Sequence, residues 1–279
     1  MFNLILIELY KIFKKWRTYI GFIVISVLIP IIQIAMFMEG QKSINFMTRN
    51  LQQSFILVGN LLNSYLVSFF ILNSLTIHIP FLIALVTGDL LAGEATAGTY
   101  RILLTRPISR ITIVTAKFLA GIIYTFLLIS WLAIMSLGLG TLIFGTGELL
   151  NISNGVIIIL AKNDILWRFL LSYAFAVLSM SVIASLAFMF SALVENAIGP
   201  IISTMAIIIT FMVVSAINID IFQAIKPYLF TNYMSSWRAL FENPINIPDI
   251  LKSSLILLIH IIVFYSAALF LFNRKDILS

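Results

Sequence analysis

Cysteine is missing from this chain altogether, which excludes a disulfide framework, a thiolate nucleophile and a Cys-ligated metal. Charge is scarce too. Asp, Glu, Lys and Arg supply 10% of the 279 residues, against about 25% in a soluble domain. So few charged side chains could not cover a water-facing surface. No G-x-x-x-x-G-K-[ST] phosphate loop occurs anywhere, so the sequence holds no nucleotide site of that kind. Its two histidines, His78 and His260, have no metal-site spacing. A hydrolase would need a nucleophile with a base or a metal, and serines beside one mid-span histidine do not compose that set.

What is present is hydrocarbon. Apolar residues make up 61% of the chain and the mean hydropathy is +1.11. Crossing a bilayer takes roughly 20 apolar residues as helix. Runs of that kind predict spans at about 19–38, 66–87, 118–144, 169–190, 197–217 and 255–272. The stretch from Phe55 to Thr87 would be about 50 Å long as one helix, too long for a single crossing. Its first part therefore reads as a partly polar outer segment. The expected fold class is all-α, a polytopic membrane protein with six transmembrane helices in one domain over 1–279. None of the six runs contains Asp, Glu, Lys or Arg, whereas ion-coupled carriers need such groups inside the membrane.

The net charge of +6 sits beside the apolar runs, which points to topology and anionic headgroups and not to nucleic acid. With the N-terminus inside, ten Lys and Arg fall on inner segments and seven on outer ones. The first 18 residues lack a small-residue cleavage site and do not read as a signal peptide. Phe2, Ile5, Leu9, Phe13 and Trp16 recur at helical spacing, and Glu8 can pair with Lys11 one turn on. Residues 1–18 thus predict an interfacial amphipathic helix, with Lys11, Lys14, Lys15 and Trp16 anchoring it at the membrane surface. Both termini are expected inside.

Between the second and third runs lies a polar island, GDLLAGEATAGTYRILLTRPISRITIVTAK, from Gly88 to Lys117. It combines glycines, an acidic residue, a Gly-Thr pair, an apolar stretch, a Thr-x-Pro-x-Ser-Arg turn and a closing lysine. Those residues are Glu94, Gly98, Thr99, Ile102 to Leu104, Thr105, Pro107, Ser109, Arg110 and Lys117. The island resembles the signature of the membrane permease subunit of type-two ATP-binding-cassette (ABC-2) exporters. The basic leading helix, the two spans before the island and the LFLFNRKDILS ending fit the same pattern. That resemblance implies a transport subunit without an ATP site, not an enzyme in itself. It implies a separate cytoplasmic ATPase chain binding ATP and Mg, and a second permease, either a copy or a paralogue. It further implies that segment 88–117 couples to the ATPase, with Gly93, Glu94, Gly98, Thr99, Arg101 and Glu195 as contacts. Arg106, Arg110 and Lys117 would anchor the segment by reaching toward lipid phosphates.

Asn218 to Ser253 is aromatic and lightly charged, so it should not stand in open water. In the resembling family, re-entrant helices occupy this position between spans five and six. Tyr228, Tyr233 and Trp237, with His78 in the second span, are candidates for a substrate path, set against an interfacial aromatic belt and a histidine that satisfies backbone freed near Pro80. His260 reads as a packing residue. The alternatives to the permease reading are a self-sufficient secondary transporter or channel and an intramembrane enzyme. A multi-pass protein of a bacterial inner membrane with an apolar or amphiphilic substrate is the expectation.

Overall fold

Hydrocarbon offers no partner to a backbone N–H or C=O, so long apolar runs are satisfied only as helices or closed barrels. Here they are helices. The computed structural model describes residues 1–52, 61–75, 77–99, 108–153 and 156–275. Helix α1 (Phe2–Lys14) ends at Lys15, whose extended backbone forms an elbow into α2 (Trp16–Gln52). Helices α3 (Ser64–Leu75) and α4 (Ile79–Thr87) are bent by 56° to one another. The short α5 (Asp89–Thr96) follows. Helix α6 (Arg110–Ala133) continues through a π-helical turn, Ile134–Leu139, into Gly140–Phe144. A hairpin of β1 (Leu149–Ser153) and β2 (Val156–Leu160) comes next, with Leu149 opposite Leu160. Then come α7 (Lys162–Leu193), α8 (Ile198–Ala216), α9 (Asp220–Ile225), three 3-10 turns and α10 (Ile247–Arg274).

Five of these helices are long and apolar enough to cross a membrane, or six if the bent α3–α4 pair is one crossing. They overlap all six predicted runs. The boundaries differ wherever a charge had been taken as an end. Lys117, expected just before the third span, lies two turns inside α6, and Arg168 lies inside α7 rather than ahead of it. Both side chains are buried and ion-paired, so neither has to mark a surface.

Helix α7 is the hub, packed by α10, α4, α6, α8 and α5. Its most apolar stretch is 72% buried, against 22% for α2 and 17% for α8 and α10, whose exposed faces suit lipid. Close packing around α7 follows from its small buried residues, among them Ser172, Ser179, Ala184, Ala187 and Ser191. Ser172 and Ser181 donate to carbonyls one turn back, at 2.8 and 2.7 Å, so burial costs these hydroxyls little. The π-helical turn of α6 has a comparable cause. Gln33 Nε2 donates to the Met135 and Ser136 carbonyls at 3.3 and 3.1 Å, and Ser68 Oγ donates to the latter at 3.0 Å. Side-chain insertion of this kind widens a helical turn.

The end that carries the hairpin is closed by aromatic packing. Trp237 and Phe241, on the 3-10 turn Ser236–Phe241, are buried against Phe69 at ring separations of 5.5 and 5.2 Å. Phe241 also meets Phe169 edge-on at 4.8 Å. Arg168 pins the turn by donating to the Leu240 and Glu242 carbonyls at 2.7 and 3.0 Å while it pairs with Asp164. This is neither a substrate-facing surface nor a lipid-facing belt for Trp237, which is 2% exposed. Its ring is consumed by internal packing. Tyr228 stays exposed, and Tyr233 is partly buried with its hydroxyl on the Pro227 carbonyl at 2.9 Å. His78 is exposed at the α3–α4 break and donates from Nδ1 to the Ser74 carbonyl at 3.2 Å. His260 Nδ1 likewise satisfies the Ile256 carbonyl at 2.8 Å.

Candidate functional site

The polar island folds at the opposite end, where α1, α5, the start of α6 and the close of α7 and α10 converge. Helix α5 is only eight residues long, too short to persist alone, and every part of it is held from outside. At its start, Ser191 Oγ of α7 accepts from the Leu91 and Ala92 N–H groups at 3.0 and 2.8 Å. That satisfies two of the donors a helix leaves open at its N-terminus. At its close, Thr96 Oγ1 reaches the Glu195 carbonyl beyond α7 at 2.7 Å.

The Gly-Thr pair is the helix terminator. Gly98 has φ +64°, the left-handed conformation that only glycine adopts freely. The Thr99 N–H returns to the Glu94 carbonyl at 3.1 Å and the Gly98 N–H to Ala95 at 3.0 Å, a Schellman closure. That turn brings the Thr99 hydroxyl onto the Glu94 carboxylate. Glycine is needed at position 93 for another reason. A β-carbon there would lie 2.5 Å from Asp89 Oδ1, so a side chain would push the Asp89 carboxylate off its partners.

Those partners form two ionic groups. In the first, Lys117 Nζ bridges Glu8 at 2.7 Å and Glu94 at 2.9 Å, and Lys11 Nζ bridges the same two carboxylates at 2.9 and 3.1 Å. Two acids and two bases alternate around a closed ring that ties α1, α5 and α6 together. In the second, Asp89 holds Lys15 at 2.7 Å and Arg17 at 3.0 Å, tying the α1–α2 elbow to the first residue of α5. Burial by itself would raise the Glu94 carboxyl, but the Lys117 charge, the Thr99 hydroxyl and Lys11 outweigh it and hold the pKa at about 2. Burial lowers the Lys11 ammonium, and bonding and attraction from Glu8 and Glu94 reverse this to a net rise. Between α1 and α5 these side chains line a cavity of about 280 Å³.

A third contact set joins the chain's end to the same face. Arg110 donates to the Asn273 and Lys275 carbonyls, each at 3.3 Å, and Lys275 Nζ lies 3.7 Å from Glu195. Ser109 caps α6 by accepting from the Thr112 N–H at 3.2 Å.

This arrangement brings together Gly93, Glu94, Gly98, Thr99, Glu195, Lys11, Lys15 and Lys117. Arg101 and Arg106 lie outside the described residues. Lys117 does not reach toward the membrane surface as expected; it is 1% exposed, because two carboxylates hold it inward. Lys11 is likewise turned onto Glu8 and Glu94, and Glu94 faces its own protein, not outward. Lys14 and Trp16 are exposed. Sequence reasoning missed Asp89 entirely and saw only one of the two partners of Glu8. No spacing rule announces a bond between residues 109 positions apart, as Lys117 and Glu8 are.

The model of the ABC-2 family transporter protein matches residues 2–277. The chain belongs to the ABC-2 transporter family. Membership makes it a multi-pass membrane component of an ABC transporter, a permease subunit of the kind that partners with an ATPase and generally lacks an ATP site. No curated protein shows a significant sequence match to the chain. The match covers α1 as well as the island, so the helix that supplies Glu8 and Lys11 belongs to the matched region.

Proposed function

We propose that this permease is half of an exporter, moving an apolar or amphiphilic substrate out of the cell by alternating access. ATP and Mg are bound by a separate cytoplasmic ATPase, and the second half is either a copy of this chain or a paralogue. Helix α5, within the coupling segment 88–117, is the element the ATPase moves. One observation carries this reading: α5 is gripped on both flanks by elements that lead into the membrane. Glu94 and Asp89 tie it to α1, to the elbow of α2 and to Lys117 of α6. Ser191 and the Glu195 carbonyl tie it to α7. A displacement of α5 is therefore shared between the rim of the bundle and its hub. Packed elements joined in this way shift together between discrete arrangements and do not deform gradually. Glu94 works as the inward tie of the lever, and Arg101 serves as a charged handle for the ATPase. Both termini are cytoplasmic, in a bacterial inner membrane. Tyr228 and His78, being exposed, are retained as substrate-path residues; Trp237 is not.

The deciding experiment reconstitutes the permease with its ATPase and compares wild type with Glu94→Ala/Arg101→Ala. Stimulation of ATP hydrolysis by the permease should fall to the unstimulated level while membrane insertion is retained. Full stimulation and full transport in the double variant would remove the assignment. Because the chain has no cysteine, Ala97→Cys also gives a single labelling site. Labelling only from the outside would place α5 on the wrong face for a motor.

A further inference from the structure

Charge at the α1–α5 junction does not balance. The cavity there is lined by five cations, Lys11, Lys14, Lys15, Arg17 and Lys117, and by three carboxylates, Glu8, Asp89 and Glu94. Lys11 and Lys117 are matched by Glu8 and Glu94 in the closed ring. Lys15 and Arg17 have one carboxylate between them, Asp89, and Lys14 bonds to none of the described residues. Two positive charges are left over around a cavity of about 280 Å³, near the lower end of the roughly 300–1,000 Å³ typical of small-ligand sites.

The donors that remain are suited to one kind of guest. Arg17 spends one guanidinium nitrogen on Asp89, leaving the rest of a five-donor fork that matches phosphate oxygens. Lys15 spends one bond of its three on the same carboxylate. Beneath these cations the lining is apolar, from Ile12, Leu85, Val86 and Leu90. We propose that the cavity is a binding site for a phosphate-bearing anion, held by Lys14, Lys15 and Arg17 over that apolar floor. Next to it, α1 exposes Leu6, Ile7, Tyr10 and Trp16, the side chains of a helix lying in a membrane interface. A phospholipid headgroup is therefore the nearest source, and a soluble phosphate compound is the other. Bound there, the anion shares Lys15 and Arg17 with Asp89 and so bears on the same contact that fixes the first residue of α5.

The site can be tested on the purified permease alone, so its failure is distinct from failure of the coupling assignment. Native mass spectrometry would compare retention of phosphatidylglycerol and phosphatidylcholine, with inorganic phosphate as a separate competitor. One phosphatidylglycerol per chain should be retained about tenfold over phosphatidylcholine, a difference of ~1.4 kcal/mol. Lys14→Gln/Arg17→Gln should abolish that preference, and Lys226→Gln/Lys252→Gln should leave it intact. Lys14→Gln alone, which breaks no bond to a described residue, should weaken retention with the melting temperature unchanged. Displacement by millimolar inorganic phosphate, with no lipid preference, would assign the same site to a soluble anion. Equal retention of the two lipids together with no effect of phosphate would overturn the proposal, as would an undiminished preference in the double variant.

Discussion

At the end of the bundle where α1 meets α5, three acids and their cationic partners join elements that are far apart in sequence. At the other end, where the 3-10 turn Ser236–Phe241 meets α3 and α7, the closure is a set of rings with one buried arginine beneath them. The contrast bears on mobility. Ring packing is dense and non-directional, and opening it leaves a cavity whose cost grows with its volume. Ion pairs are exchangeable at their exposed members: Lys11, Lys15 and Arg17, each a third or more exposed, can leave a carboxylate for water without disturbing the surrounding packing, while Lys117 stays buried between its two acids. The end assigned to the motor is thus built from contacts that can be remade, and the end across the membrane from contacts that hold a shape.

The largest expected effect breaks the ionic end. Lys117→Ala strips both Glu8 and Glu94 of a buried partner, and losing one member of a buried ion pair costs about 3–5 kcal/mol. Thermal unfolding in detergent should show that loss, along with loss of ATPase stimulation. Lys117→Met combined with Lys11→Met, Glu8→Gln and Glu94→Gln, which removes all four charges of the ring, should recover the stability but not the stimulation. Next, Trp237→Ala tests the aromatic end. A large-to-small change of this kind costs about 3 kcal/mol or more; stimulation per folded molecule should stay unchanged, and a matching loss of stimulation would erase the contrast between the ends.

Acid separates the ends more finely. Glu94 titrates at about 2 in the folded protein against an ordinary 4.5. A lowered folded pKa contributes stability that is present above the unfolded value and is lost as the pH falls toward the folded one. Melting temperature should therefore drop between about pH 4.5 and 2. Glu94→Gln should flatten that slope, and Trp237→Ala should leave it as in wild type. The smallest effect is Gly98→Ala, which forces a side chain into left-handed backbone at a cost of about 1 kcal/mol. Open space surrounds that position, so the loss should come from the backbone alone, seen as a modest fall in melting temperature.

The apolar runs made the membrane helices legible, because hydropathy records the solvent directly. The island stood out as a polar, glycine-rich break between two apolar runs, but the Schellman closure that Gly98 and Thr99 make there shows only in the backbone. Ends of helices were not legible. Lys117 and Arg168 looked like boundaries because an apolar-run reading stops at a charge, and pairing with Glu8 and Asp164 lets the helices run on around them. Asp89 escaped notice because its partners, Lys15 and Arg17, are more than 70 residues away. The hairpin has a signal in the sequence: Asn-Gly at 154–155 stands between Leu149–Ser153 and the Ile-rich Val156–Leu160, and that dipeptide is the strongest short-range mark of a hairpin. For Trp237, composition told only that the segment avoids water, and burial inside the protein meets that demand as well as a lipid interface does.

The Glu8–Lys11–Glu94–Lys117 ring has one more property, which comes from simple arithmetic. Two negative and two positive groups sum to zero, whereas each uncompensated charge carried across a membrane potential exchanges about 2.3 kcal/mol per 100 mV. If the quartet travels as one body, the electric field performs no net work on it. The ring itself then adds nothing to any voltage dependence of the stroke, which would have to come from the surplus charge of Lys14, Lys15 and Arg17 beside it.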